Sequence, residues 1–236
     1  MNFNQLSWGA LCFYYRSAGD HKYGKIMKNI TFLSRLREKP ADIGVAEFEE
    51  NVILGHVNVE NYDLLIGHNL AGSVLSKIIE LQPEISSIQN ISLFDFDFSD
   101  SEMVENIKSL YVGLYSVRGL WLTGVSKISH LLNDKLLVLL NLNISNHFKL
   151  LEENTSLIQW LKITQKNMQE VMEDFHKQGY SGSPEEFLSD KLGYTKCGYQ
   201  KSLVKFVDEY FWLRFGDNLP VPPVWSPPHI IEEDKT

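Results

Sequence analysis

The sequence predicts a mostly α-helical protein with one small β element toward its N-terminal half. Three observations carry that prediction. Apolar residues recur at three- and four-residue spacing through most of the 236-residue chain. Capping residues, glycines and prolines fall at the ends of those periodic stretches rather than inside them. Only one segment, ISLFDFDFSDS from Ile91 to Ser101, alternates with a period of two.

Taken in order, Trp8 to Tyr15 is a dense aromatic run that ends before Gly19 and Asp20. Tyr23 to Arg37 carries Ile26, Ile30, Leu33 and Leu36 on one helical stripe, and Pro40 stops it. Ala46 to Val59 reads equally as a short helix and strand or as loop. Asn61 to Leu65 and Ser73 to Leu81 read as short helices, the second ending before Pro83. In Ile91 to Ser101, Phe94, Phe96 and Phe98 alternate with Asp95 and Asp97, which predicts a strand or an extended loop. Ser99 to Ser101 then cap a helix from about Glu102 to Ser116, with Val104, Ile107, Leu110, Tyr111 and Leu114 inward. Asn154-Thr155-Ser156 start a long amphipathic helix closed by Gly179. Ser183, Pro184 and Glu186 mark a further helix start, and a final aromatic-rich helix runs from about Gln200 to Phe215. The proline-rich stretch from Asn218 to His229 cannot continue it. These breaks suggest one helical domain over residues 1–216 and a tail over 217–236.

An apolar fraction of 44% is ample for a core. Cys12 and Cys197 read as reduced thiols, there is no apolar run long enough to span a bilayer, and no signal peptide is apparent, so a cytoplasmic protein without membrane partners is expected. The net charge of −8 argues against a broad basic surface, although a phosphate site built from uncharged backbone N–H groups remains compatible with it. No nucleophile elbow, phosphate-binding loop, dinucleotide fingerprint or metal motif is present, and no cofactor is expected.

The most informative stretch runs from Val117 to Ile144. A helix, a turn at Arg118-Gly119-Leu120-Trp121, and a second helix from about Thr123 make a helix-hairpin-helix spanning about 104–131. A very apolar run follows and stops at the amide of Asn141, with Asn143 two residues on. Position by position, the stretch resembles the second hairpin and following loop of the helix-hairpin-helix (HhH-GPD) DNA glycosylases, whose pattern is Leu-Pro-Gly-Val-Gly-x-Lys-x-Ala. Thr123 stands where lyase-active members keep lysine, Asn141 on the catalytic aspartate and Asn143 on the following histidine. Ser126, Lys127, His130, Asn141, Asp208 and Trp212 also resemble a divergent bacterial branch with a Ser-Lys-x-x-His helix, an aspartate fourteen residues after that lysine, and a Leu-Asp-x-x-x-Trp final helix. The resemblance covers roughly Glu102 to Gly216. The hairpin departs from the pattern in having only Gly119 of the glycine pair, with Trp121 in the second slot.

The resemblance implies two helical lobes with a cleft between them, and a monomer that acts on double-stranded DNA. It implies that Arg118, Gly119, Leu120, Trp121, Thr123, Gly124, Ser126, Lys127 and Asn143 contact the duplex. A damaged or modified base, in one version a modified phage base cleared in defence, is flipped into a pocket. Aromatics suited to hold it are Trp8, Tyr14, Tyr15 and Trp212. Breaking an N-glycosidic bond builds positive charge on the sugar, which a carboxylate stabilises, and Thr123 in the lysine slot implies a monofunctional enzyme. An amide has no charge to offer. Asn141 is compatible with three accounts: an inactivated, substrate-trapping form, a natural binder, or a site in which another carboxylate, Asp95 or Asp97, acts. Each residue also has a plain structural use. Asn141 and Asn143 suit a helix cap, Gly119 a helix C-terminus, Lys127 and His130 a polar contact, Asp95 and Asp97 a solvated face, and Asp208 a structural charge. The alternative function is a non-catalytic helical module that binds DNA or protein.

Overall fold

The computed structural model describes residues 1–17, 21–57, 69–150 and 153–220. Among these, twelve α-helices and no strand are found. The mostly α fold is therefore as expected, and the β element is not formed among the described residues. The expected helix at Asn61 to Leu65, the Gly19-Asp20 break and the tail beyond residue 220 lie outside them.

Helix α1 (Phe3–Arg16) opens with a capping box between Asn2 and Gln5. The Tyr23 to Arg37 stripe is two helices, α2 (His21–Lys28) and α3 (Ile30–Glu38). They separate because Asn29 turns its Oδ1 onto the Phe32 amide at 3.2 Å, capping the second, and this leaves Ile30 67% exposed rather than inward. The ambiguous stretch is helical as far as it is described: α4 (Val45–Phe48) widens directly into a π-helical segment, Glu49–Val57. Helix α5 (Leu70–Glu80) is followed at once by α6 (Gln82–Ile88), with Pro83 in the first turn, where its missing N–H costs nothing.

The alternating Phe/Asp segment is the clearest correction. Leu93–Asp95 form a 3₁₀ turn, not a strand. No neighbouring strand pairs with it. Instead the Gln165 side chain donates to the carbonyls of Leu93 (2.9 Å) and Phe96 (2.8 Å), and the Leu93 amide bonds to Lys135 O. Asp100, rather than a serine, then caps α7 (Ser101–Tyr115).

The hairpin joins α7 to α8 (Leu122–Leu132), turning at Gly119, whose φ of 91° suits glycine. Leu120 packs so closely on Gly124 that a Cβ there would lie 2.8 Å from it. Helix α8 is buried on nearly every face, as expected of a central helix. Short α9 (Leu142–His147), long α10 (Glu153–Lys177), α11 (Pro184–Lys191) and α12 (Leu203–Phe211) follow, the last widening into π-helical Trp212–Gly216. All nine residues of α12 are buried, and α1 lies against it with Gly9 touching Tyr210. The buried apolar residues form one contiguous core from Phe3 to Phe211.

Between α8 and α9 the chain is buried without a helix or a sheet, so its backbone groups need other partners. Four consecutive carbonyls find one side chain each. The His130 Nδ1–H donates to Leu137 O (2.6 Å), and the Tyr111 hydroxyl to Val138 O (3.3 Å). The Trp160 indole donates to Leu139 O (3.3 Å), and the Ser126 hydroxyl to Leu140 O (2.9 Å). Burial pushes the Tyr111 phenol up, so it keeps the proton it donates. At the start of this run the buried Asn133 amide makes four bonds, to the carbonyls of Ile88 and Ile91 and the amides of Lys135 and Leu136. Replacing Asn133 by alanine strands those four groups, two of them in fully buried bonds, and is expected to cost about 3 kcal/mol. Urea denaturation checks it; a loss under about 1 kcal/mol would mean that water takes over the four partners.

Candidate functional site

A cavity of about 510 Å³ opens where six parts of the chain meet. Helix α1 and the residue after it contribute Phe13, Arg16 and Ser17. Helix α2 contributes Lys22 and Tyr23, and the first π-helical segment His56. Helix α8 contributes Thr123, Ser126 and Lys127, the side-chain-bonded run Leu139, Leu140 and Asn141, and α12 with its π extension Lys205, Asp208 and Trp212. Both π-helical segments thus place a residue in the wall, and such widened turns frequently mark functional positions.

Asn141 arrives there because the run before it is pinned carbonyl by carbonyl. Its backbone is extended, and its Oδ1 accepts the Ile144 amide at 2.9 Å, capping α9. The capping use and the cavity position therefore coexist in one side chain. One turn along α8 from Thr123, the Lys127 ammonium donates to the carbonyls of His56 (3.3 Å) and Val57 (3.2 Å). That contact ties α8 to the first π-helical segment.

The wall is strongly cationic for so acidic a chain. It holds Arg16, Lys22, Lys127 and Lys205, against one carboxylate among its described residues, Asp208. Lys205 lies 3.1 Å from Asp208 and 3.4 Å from Glu209, which in turn holds Lys201 at 2.5 Å, all four buried. Such a network is expensive to break, because removing one partner strands another charge. Aromatic surface lines the remainder: the Phe13 and Trp212 rings meet edge to face at 5.6 Å, and Tyr23 donates its hydroxyl to His130 Nε2 at 3.0 Å.

His56 is buried, and its Nε2 has no hydrogen-bond partner among the described residues. Burial first, then the Lys127, His130 and Lys205 charges, hold its pKa well below the usual imidazole value. His130 is pushed down to about 4, mainly by burial.

Of the residues singled out from the sequence, Thr123, Ser126, Lys127, Asn141 and Trp212 come together in this wall. Gly119, Leu120 and Gly124 build the hairpin and do not line the cavity. Arg118 and Asn143 are exposed, and Trp121 projects at 74% exposure beside the Thr123 turn. Trp8 packs edge-on against Tyr210 in the core, and Tyr14 lies between Tyr15 and Tyr194; neither lines the cavity, and Tyr15 stands 75% exposed. Asp95 and Asp97 are exposed, with Asp97 accepting from Ser99, and are not part of the wall. Sequence reasoning missed Arg16, Lys22, Tyr23, His56 and Lys205, and took Asp208 for a structural charge. The spacing of Lys205, Asp208 and Trp212 on one face of the last helix was the available signal.

Both buried histidines stay neutral in the folded chain, which sets a sign. As pH falls from 6.5 toward 4 the unfolded chain takes up their protons and the folded chain does not. Stability is expected to fall across that window by about 1.4 kcal/mol per pH unit for His130, with His56 acting in the same direction. Urea unfolding at pH 7 and pH 5 reads the slope, and His130→Gln is expected to make it shallower; a stability independent of pH in this range would contradict the neutral assignment. No family model, curated protein or solved structure matches the chain.

Proposed function

We propose that the chain is a monofunctional, glycosylase-like DNA-binding protein whose cavity receives a base flipped out of a duplex. The observation that carries this reading is the meeting of Asn141, the hairpin helix residues Thr123, Ser126 and Lys127, and the aromatic Trp212 in one cation-lined cavity. Its volume lies in the roughly 300–1,000 Å³ range that encloses a small organic ligand. Phe13 and Trp212 offer ring surface for a nucleobase, and the cations suit the phosphates on either side of it. The hairpin turn at Gly119 comes four residues before Thr123, and uncharged N–H donors of such a turn would suit a DNA phosphate.

The Lys127 ammonium is engaged with two backbone carbonyls, which supports hydrolysis rather than amine chemistry at the sugar. The substrate class is DNA carrying a damaged or modified base, with modified phage DNA a natural candidate for a defensive role. A binding-only module is the second reading. It is favoured by Asn141, whose amide has no charge and whose Oδ1 is already occupied by the Ile144 amide.

The test pairs duplex binding with abasic-site formation on a panel of modified duplexes, using this chain and Asn141→Asp. Aspartate caps a helix as well as asparagine does, so the variant is expected to fold. The expected results are binding that weakens steeply with salt, as phosphate contacts require, and alkali-labile sites on at least one substrate. Salt-sensitive binding with no product from either form would leave the binding-only module. Neither binding nor product would end the DNA reading altogether.

A further inference from the structure

We infer that Asp208, rather than residue 141, supplies the carboxylate that acts on the sugar of the bound nucleotide; this rests on the glycosylase reading above. Asp208 is the one carboxylate in the cavity wall among the described residues, and it is 5% exposed. It lies four residues before Trp212 and three after Lys205, and all three line the cavity. Residues at that spacing share a helix face, which puts the carboxylate one turn from the ring on which a base would lie. A base stacked there brings its sugar toward Asp208.

The ammonium of Lys205 fixes the carboxylate from the side at 3.1 Å. Lys205 itself is shared with Glu209, so Asp208 is oriented by a network rather than by one flexible partner. Asn141, in the same wall, offers an amide whose oxygen caps α9. The cationic residues Arg16, Lys22 and Lys127 suit phosphate, which leaves Asp208 as the group matched to a positively charged sugar.

The step balances as a hydrolysis. The C1′–N bond breaks and the base leaves with its electron pair. The carboxylate of Asp208 stabilises the resulting cation at C1′ and O4′. Water adds to C1′, giving one proton to Asp208, and that proton passes through solvent to the departing base. The products are the free base and an abasic sugar.

The test runs the chain, Asp208→Asn, Asp208→Glu and Asn141→Asp on the same duplex panel under single-turnover conditions, with DNA retention and circular dichroism measured alongside. The unmodified chain is expected to make abasic sites. Asp208→Asn is expected to slow them about 100-fold while DNA retention is kept, and adding Asn141→Asp to it is expected to restore part of the rate. An Asp208→Asn rate equal to that of the unmodified chain overturns the proposal. So does product from Asn141→Asp when the unmodified chain makes none. Should Asp208→Asn not fold, Asp208→Glu decides, since it keeps the charge but displaces it: about 10-fold slowing is expected, and no slowing overturns the proposal. Failure of all forms to retain DNA or make product is the separate failure of the glycosylase reading.

Discussion

Four carbonyls in a row, from Leu137 to Leu140, set the position of nearly everything that matters in this structure. They are buried in a stretch that is neither helix nor sheet, where an unpaired carbonyl is costly. His130, Tyr111, Trp160 and Ser126 each satisfy one of them. Those four side chains come from three helices, α7, α8 and α10. The run therefore acts as a seam that fixes the three relative to one another. It also delivers Asn141, the next residue, to the cavity wall in an extended conformation. A buried apolar run ends on an amide here because that position both starts a helix and borders a polar site.

The second constraint is electrostatic. A chain of net charge −8 gathers Arg16, Lys22, Lys127 and Lys205 around one cavity. Lys127 is held by the carbonyls of His56 and Val57, and Lys205 by two carboxylates. Burial first, with the Lys205 charge adding to it, keeps the imidazoles of His56 and His130 neutral. Lys205 is buried, whereas Arg16 and Lys22 are exposed, so solvent screens these charges to very different extents.

What the sequence made legible was local. The hairpin and the turn at Gly119 were readable because short-range patterns encode them, whereas the expectation for Asn141 came from the family resemblance, and that residue lines the cavity. Periodicity also placed the helix that became α7 within a residue or two of its ends. Of the two alternatives at Phe94 to Phe98, the strand fails and the loop with inward aromatics stands, because alternation reports which side chains turn inward, not whether a neighbouring strand exists. A glutamine from α10 did the work that a strand would have done. His56, Lys22 and Tyr23 stayed hidden for a different reason. They reach the cavity through contacts such as Lys127 with His56, 71 residues apart, and Tyr23 with His130, 107 residues apart. No local pattern carries that information.

The proposed role depends on a flipped nucleotide entering this cavity, and one measurement bears on it directly. It is the structure of the chain bound to a duplex carrying a stable abasic-site analogue. The expected result is the analogue's sugar inside the cavity, with its C1′ position between Asn141 and Asp208, flanking phosphates near Arg16, Lys22 or Lys127, and the Gly119 turn against the backbone. Duplex bound elsewhere on the surface, with the cavity empty of nucleotide, would contradict it.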